Sequence, residues 1–182
     1  MDSKVTIRPA LTSDLPAIAL LHIEAHPNHP MTRLAWSHPL DVYPIFLARC
    51  NLIISLPYYH FLVATSCPVS PLSSPKSSVE DIIGFVIWKD GYDIDGGEER
   101  QEPEFKPEFP PTANLGFMAS FQGQNAAHEK TLSIEGMGEL ELLDVRPSRQ
   151  RKGVGALLLE AALKEVSSFF SIFGIKLICY LV

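Results

Sequence analysis

A short run in the last third of the chain combines glycine and positive charge in a pattern that can bind an anion. Residues 150–155 read Gln-Arg-Lys-Gly-Val-Gly and lie between an apolar strand-like stretch and an apolar helix-like stretch. The first turn of a helix has unpaired backbone amides, and the helix dipole adds partial positive charge there. Gly153 and Gly155 have no side chains that would keep phosphate oxygens from the backbone. Arg151 and Lys152 add positive charge, so the loop is a candidate phosphate site.

Two familiar phosphate-binding motifs are excluded by spacing. The GxGxxG pattern needs a third glycine where this chain has Leu158, and no GxxxxGK[ST] pattern occurs. This disfavours a Rossmann dinucleotide site and a P-loop NTPase. A turn that binds nothing is the alternative for any Gly-x-Gly before a helix, and the motif taken alone does not decide between the two.

The composition describes one globular domain with an acidic surface. The chain has 182 residues, of which 46% are hydrophobic and 20% charged, and its formal net charge is −6. These values favour one domain and argue against a general nucleic-acid or acidic-membrane surface. The three cysteines form no CxxC pair, which is typical of reduced thiols. Since no apolar signal segment follows Met1, we expect a cytoplasmic protein, with a nuclear location left open.

The elements that must position the loop form a strand–helix–strand unit. Residues 139–145 are predicted to form a strand, residues 153–155 to open a helix, and residues 176–181 to form a final strand. The two strands of such a unit should be parallel. The predicted buried side of the helix includes Leu157, Leu158, Ala161, Val166 and Phe169. We therefore expect an α/β (α+β) fold with a mixed central sheet flanked by helices.

The N-terminal part is predicted to supply the rest of the sheet. Strands are predicted over residues 5–8, 59–64 and 82–88, and helices after Asp14 and over residues 42–56. Gly84 is predicted to mark a bulge or a close packing contact. Residues 67–78 are predicted to form a Ser/Pro-rich loop, and residues 90–138 a long loop with short helical pieces. Residues 1–182 are predicted to be a single domain with its ligand-binding core at 139–182.

The C-terminal motif resembles motif A of the GNAT acetyltransferases. Residues 143–158 read Leu-Asp-Val-Arg-Pro-Ser-Arg-Gln-Arg-Lys-Gly-Val-Gly-Ala-Leu-Leu. The family motif joins a strand end of the form L-x-V-x-P to (Q/R)-x-x-G-x-(G/A) and an apolar helix, and Gln150, Gly153 and Gly155 fill its three defining places. The opening Ile-Arg-Pro-Ala of residues 7–10 is also similar to the usual start of these proteins. The resemblance covers most of the chain outside the two predicted loops.

The resemblance implies an N-acetyltransferase that moves an acetyl (short acyl) group from acetyl-CoA to a primary amine, by direct attack in a ternary complex and with no metal. The backbone of residues 143–145 would bond the pantetheine arm, and the loop amides would hold the pyrophosphate. The thioester would sit where the two parallel strands splay apart. The implied cofactor-binding residues are Leu143, Asp144, Val145, Gln150, Arg151, Lys152, Gly153, Val154, Gly155 and Ala156.

Two glutamates on the predicted strand are candidates for accepting the proton of the amine. Glu139 and Glu141 are two residues apart, so their side chains should share a face, while Asp144 should point to the opposite face as a turn or helix partner. Glu139 is the first candidate, because it lies where some GNAT enzymes carry a general-base glutamate, and Glu141 is the second. The alternative is that both are solvated carboxylates. From the six scattered histidines we predict neither a metal site nor a catalytic group.

The sequence departs from the family pattern at its end. GNAT chains normally continue past the fifth strand with a helix and two strands, which often carry a tyrosine that protonates the departing thiolate. Here the sequence stops at Val182, and Tyr180 within the strand is a poor substitute. We expect a truncated sequence, or a partner that covers the exposed strand, such as a second copy in a homodimer. A catalytically impaired, CoA-binding regulatory or vestigial domain is therefore the alternative function, and the amine acceptor stays open.

Overall fold

The described chain forms one five-stranded sheet with helices on both of its faces. The computed structural model describes residues 4–27, 30–66, 81–90, 103–132, 138–169 and 175–177. The strands are β1 (Val5–Pro9), β2 (Tyr59–Ser66), β3 (Asp81–Lys89), β4 (Gly138–Val145) and β5 (Ile175–Leu177). The helices are α1 (Leu15–Ala25), α2 (Pro30–Ala35), α3 (Val42–Ile53), α4 (Leu115–Leu132) and α5 (Val154–Phe169).

The sheet runs in the order β1-β2-β3-β4-β5 and mixes both kinds of pairing. The first three contacts are antiparallel, and β5 pairs with β4 in parallel, with Gly138 opposite Ile175 and Leu140 opposite Leu177. The predicted α+β fold with a mixed central sheet is confirmed, and so is the parallel pairing across α5. The rest of the predicted last strand, residues 178–181, lies outside the described residues.

Each face of the sheet buries its own hydrophobic cluster. On one face α1 and α3 pack against the sheet, with fully buried Leu15, Ile18, Cys50, Val63 and Phe85 at the centre. On the other face α5 packs against the sheet, with Val154, Leu158, Ala162, Val86 and Trp88 at the centre. Burying a large apolar side chain is worth about 1.5–3 kcal/mol, so these two clusters hold the helices to the sheet.

The buried stripe of α5 differs in part from the predicted one. Val154, Leu158 and Ala162 are buried at steps of four residues, whereas the side chain of Leu157 is 44% exposed. Leu157 was therefore placed wrongly, because two adjacent leucines lie about 100° apart around a helix and only one of them can face the sheet. Among the other predicted positions, Ala161 and Val166 are partly buried against the cluster.

Gly84 lets α5 approach the sheet closely. A Cβ atom at this position would lie 3.0 Å from the backbone oxygen of Asp144, 3.0 Å from a methyl group of Leu158 and 3.3 Å from one of Val154. The predicted close packing contact is confirmed. A glycine on β3 thus sets how deeply the start of α5, and the loop before it, lies over the end of β4.

An extra residue interrupts the pairing of β4 with β3. Ile87 lies opposite Leu142 and Trp88 opposite Leu140, so Glu141 has no partner residue on β3. A bulge of this kind bends the strand and changes which face the following side chains occupy.

The stretch predicted as a long loop contains a longer helix than expected. α4 spans 18 residues, and the side chain of Asn114 caps it by accepting a hydrogen bond of 3.1 Å from the backbone amide of Phe117. No proline interrupts the helix, so a capping asparagine and a proline-free run favour it locally. The predicted loop over residues 67–78 lies outside the described residues. Among the described helices, none combines the length and apolar composition that crossing a bilayer requires.

Candidate functional site

The loop between β4 and α5 is held to the end of the strand by hydrogen bonds. The backbone amide of Arg146 donates to the oxygen of Ile83 at 2.9 Å, which extends the sheet by one bond, and a 3-10 turn over Pro147–Arg149 follows. The side-chain amide of Gln150 then donates to the backbone oxygen of Val145 at 3.0 Å. Gln150 therefore closes the loop against the strand end, which fixes the direction in which the next residues leave.

The backbone conformation of the loop favours glycine at residue 153 but does not require it at residue 155. Gly153 has a φ of 81°, in the left-handed region that favours glycine, while a Cβ there would meet no atom within 4 Å. The constraint at this residue is thus conformational and not steric. A Cβ on Gly155 would lie 3.4 Å from Leu143 in ordinary contact, so an alanine fits there. Arg151 also lies in the left-handed region, with a φ of 59°, at a cost of about 1–2 kcal/mol.

The four basic residues around the loop have different surroundings. The Arg146 guanidinium lies 2.7 Å from the carboxylate of Asp81 and 3.4 Å from that of Glu24, so its charge is neutralised. Arg149 contacts the hydroxyl of Ser66 at 3.5 Å. Lys152 is exposed and its ammonium donates to the backbone oxygen of Ser148 at 2.8 Å, and Arg151 is exposed as well.

The two edges of β4 are hydrogen-bonded to neighbouring strands over different lengths. Residues 143–145 pair with β3 on one side. On the other side the described pairing with β5 covers only residues 138–140. Within the described chain, the end of β4 that leads into the loop therefore has an edge that β5 does not cover.

The two candidate glutamates lie on the same face of β4 in one polar cluster. The Lys89 ammonium lies 3.2 Å from a carboxylate oxygen of Glu139 and 4.0 Å from one of Glu141. Glu141 is buried, with a side chain 5% exposed, and accepts hydrogen bonds from Tyr59 at 2.8 Å and from Arg49 at 2.6 Å. The Glu139 side chain is 16% exposed, so it is the more accessible of the two.

Glu139 and Glu141 differ in how well a bound molecule can reach them. Both oxygens of Glu141 already accept hydrogen bonds from protein donors, and the side chain is enclosed, so a bound molecule does not reach it directly. The Glu139 side chain is the more exposed of the two, and its carboxylate lies 3.2 Å from the Lys89 ammonium. Of the two, Glu139 is therefore better placed to take a proton from a bound molecule.

Asp144 points to the opposite face from the one its spacing predicted. Its two oxygens lie 2.7 Å from the Nδ1 atom of His22 on α1 and 2.7 Å from the Nε2 atom of His26, the residue that follows α1. The bulge at Glu141 adds one residue, so Asp144 shares the α1–α3 face with Glu141. The prediction of the opposite face was therefore wrong, although Asp144 does contact a helix.

These contacts shift the pKa values of Asp144 and His26 in opposite directions. Burial would raise the pKa of Asp144, but the hydrogen bonds from His22 and His26 outweigh it and hold the pKa below its usual value. The hydrogen bond to Asp144 raises the pKa of His26 above its usual value, against the opposing effect of burial. The spacing of His22 and His26, four residues apart at the end of a predicted helix, is the sequence signal for this cluster, since residues at that spacing lie on one side of a helix.

Cys50 is not a nucleophile of this site. The thiol is fully buried in α3, and burial raises its pKa to about 12. Only the thiolate reacts, so this cysteine has a packing role.

Comparison with known proteins identifies the fold. No family model matches the sequence, and no curated protein matches it. Solved structures do match: an aminoglycoside N-acetyltransferase, AAC(6')-Iy in complex with CoA, has a TM-score of 0.52 and 15% identity over 97% of this chain and 78% of its own. The apo aminoglycoside 6'-N-acetyltransferase AAC(6')-IG from Acinetobacter haemolyticus has a TM-score of 0.50 and 15% identity, covering 96% of this chain and 81% of its own. The chain has the GNAT acetyltransferase fold.

Within this GNAT fold, the structure groups the predicted site residues at two ends of one strand. Gln150, Gly153 and Gly155 lie in the loop that follows the C-terminal end of β4. Glu139 and Glu141 lie near its N-terminal end, roughly 15–20 Å away at about 3.3 Å per residue. Leu143, Asp144 and Val145 lie between the two groups.

Proposed function

We propose that this chain binds acetyl-CoA and transfers its acetyl (or another short acyl) group to a primary amine by direct attack in a ternary complex. The observation that carries the proposal is the loop between β4 and α5. Gly153, whose backbone is in the left-handed region, leads directly into the 16-residue helix α5. Arg151 and Lys152 lie beside it and are exposed. A structure with the same overall fold is a CoA complex of an N-acetyltransferase, which supports the choice of ligand.

In this proposal the pyrophosphate lies at the N-terminus of α5. The amides of residues 151–156 and the helix dipole bind the phosphate oxygens, and Arg151 and Lys152 add charge. Gln150 acts on the loop and not on the ligand, because its side-chain amide already bonds the strand end. The pantetheine arm bonds the backbone of residues 143–145, along the edge of β4 that the described part of β5 leaves uncovered.

The acyl transfer then takes place near the other end of β4. The neutral amine attacks the thioester carbon, the carbon–sulfur bond breaks, and the sulfur leaves as a thiolate. The amine loses a proton as it is acylated, and Glu139 accepts it directly or through water. Glu141 shapes this region through Arg49 and Tyr59 without taking the proton.

Calorimetric titration with acetyl-CoA tests the binding half of the proposal. We expect binding by the wild type and at least a tenfold weaker affinity in Gly153→Glu, which places a carboxylate where the phosphates bind. The matched control is Gly123→Glu on α4, an exposed position where an added Cβ atom meets no atom within 4 Å. Failure of the folded wild type to bind, or equal weakening by both variants, contradicts the assignment of the loop.

Release of the CoA thiol in the presence of a panel of primary amines tests the catalytic half. We expect turnover by the wild type and a loss of about 10²–10⁴-fold in Glu139→Gln, the range that general-base catalysis supplies, with acetyl-CoA binding retained. Binding without any turnover by the wild type would instead indicate a CoA-binding domain without catalysis. Full turnover by Glu139→Gln would remove Glu139 as the base.

A further inference from the structure

Three side chains with metal-binding atoms meet where α1 contacts β4, on groups that the acyl transfer does not use. They are His22 from α1, His26 just after its last residue and Asp144 from β4, and their ligand atoms all lie within 4.8 Å of one another. His22 lies in the last turn of α1 and His26 caps its end, and both rings contact Asp144 on β4. Asp144 reaches them because the bulge at Glu141 turns it to this face.

The surroundings hold this cluster in place. The ring of His22 stacks on Phe46, with ring centroids 4.2 Å apart and an angle of 15° between the planes. This contact directs the Nδ1 atom of His22 toward Asp144, 2.7 Å away. The Nε2 atom of His26 approaches the second oxygen of the same carboxylate at 2.7 Å. The three side chains thus bring one ligand atom each within 4.8 Å of the others.

Burial and charge also fit a cation. The side chains of His22 and Asp144 are only 7% and 3% exposed, while that of His26 is 32% exposed and leaves an entrance from solvent. A buried carboxylate is costly unless a positive charge or hydrogen-bond donors accompany it, and a metal ion supplies such a charge.

We propose that His22, His26 and Asp144 bind one divalent transition-metal ion of the Zn²⁺ class. Two imidazoles and one carboxylate are ligands that Zn²⁺ accepts, and a water molecule on the His26 side completes a tetrahedral shell. Ca²⁺ and Mg²⁺ prefer oxygen ligands throughout, so a set with two nitrogens disfavours them.

Binding requires small movements and a change of protonation. Zn–N and Zn–O distances are about 2.0–2.2 Å, so ligand atoms around a tetrahedral ion lie roughly 3.4 Å apart. The nitrogen–oxygen pair at 2.7 Å that stays in the shell must therefore open by less than about 1 Å, and separations of up to 4.8 Å must close by up to about 1.4 Å. The hydrogen on each coordinating nitrogen moves to the other ring nitrogen or leaves to solvent, which frees a lone pair for the ion. The bound ion then links α1 to β4 beside residues 143–145.

The test uses the untagged chain, stripped with a chelator and titrated with Zn²⁺ by calorimetry. We expect one equivalent to bind to the wild type, and at least a tenfold weaker affinity in His26→Gln and in Asp144→Asn. The control is His38→Gln, which removes an exposed histidine outside the cluster. Circular dichroism verifies that each variant is folded, and His26→Gln is the safer variant because its side chain is partly exposed.

A second probe is independent of heats of binding. Co²⁺ in a tetrahedral site gives visible absorption bands, which we expect in the wild type and in His38→Gln but not in His26→Gln. Absence of stoichiometric Zn²⁺ binding by the folded wild type overturns the proposal. So does unchanged affinity in both cluster variants, or an equal loss in His38→Gln. None of these readouts depends on acetyl-CoA binding or turnover.

Discussion

At the scale of single residues, Glu141 shows how a buried charge is accommodated in this protein. Its carboxylate is almost fully buried, yet one oxygen faces the Arg49 guanidinium at 2.6 Å and the other the Tyr59 hydroxyl at 2.8 Å. A buried charge that loses its partner is strongly destabilising, because the desolvation cost then remains uncompensated. The ion pair between Arg49 and Glu141 therefore stabilises the fold chiefly by compensating the desolvation of the buried carboxylate.

We predict that Arg49→Met lowers the free energy of unfolding by roughly 2 kcal/mol, below the full cost of breaking a buried pair because the Arg49 side chain is 31% exposed. Urea denaturation measures the change. The double variant Arg49→Met/Glu141→Gln should recover part of the loss, since the uncompensated charge is then gone. Equal stability of Arg49→Met and the wild type would show that Tyr59 and Lys89 suffice for Glu141.

Asp14 gives the junction of β1 and α1 a dependence on pH. The hydrogen bond from Arg8, at 2.7 Å, holds the pKa of Asp14 below its usual value, against the opposing effect of burial and with help from the backbone amide of Leu11. Because the folded pKa is below the unfolded one, the stabilisation is complete above pH ~4 and is lost as the pH falls through the folded value.

We therefore predict that Asp14→Asn is less stable than the wild type near pH 7, and that the difference shrinks in acid. Urea unfolding of both proteins at pH 7, 5 and 3 measures it. A difference that stays constant over this range would mean that the shape of the side chain matters and its charge does not.

At the scale of elements, the contact between β3 and α5 decides where the loop lies. Gly84 faces the start of α5, and any added side chain meets backbone and side-chain atoms at 3.0 Å. The same helix carries the proposed phosphate site at its first turn. A change at Gly84 thus acts on the loop through packing alone.

We predict that Gly84→Ala destabilises the protein by about 1–3 kcal/mol, the usual cost of forcing an extra carbon into a packed core. Gly123→Ala, in open space within α4, should instead leave stability unchanged or raise it by up to about 1 kcal/mol, since alanine favours a helix. Denaturant midpoints of the two variants provide the comparison. A stable Gly84→Ala variant would mean that α5 can shift away from the sheet at little cost.

At the scale of the whole molecule, the sheet separates two hydrophobic clusters, and β4 contacts both. Leu140 and Val145 belong to the cluster under α5, while Leu142 packs against the cluster under α1 and α3. A ligand bound along β4 and the start of α5 therefore stabilises only a chain in which both clusters have formed. Ligand binding should raise the stability of the fold as a unit.

We predict that acetyl-CoA at about 100 times its dissociation constant raises the melting temperature by roughly 5–10 °C. The estimate combines about 2.7 kcal/mol of linkage stabilisation with about 2–4 °C per kcal/mol for a chain of this size. Differential scanning fluorimetry measures the shift, and Gly153→Glu should show little of it. An equal shift in that variant would indicate binding elsewhere.

The sequence by itself determined the elements of this protein that depend on neighbouring residues. A glycine-containing turn between an apolar strand and an apolar helix predicts β4, the loop at residues 150–155 and α5, because turn and helix-start preferences depend on neighbouring residues. The position of Gly153 follows from that pattern, whereas Gln150 was assigned through the resemblance to motif A. The parallel pairing of β5 with β4 also follows, because a helix between two strands of one sheet enforces it.

Only the tertiary structure decided how distant side chains combine. Arg49 lies 92 residues from Glu141, and His22 lies 122 residues from Asp144, so no local spacing signals either contact. The bulge at Glu141 arises from pairing with β3, and it overturned the simple alternation that placed Asp144 on the other face. Burial then made Glu139 the more exposed carboxylate and Glu141 the enclosed one, a difference that the alternation of side chains along a strand does not predict.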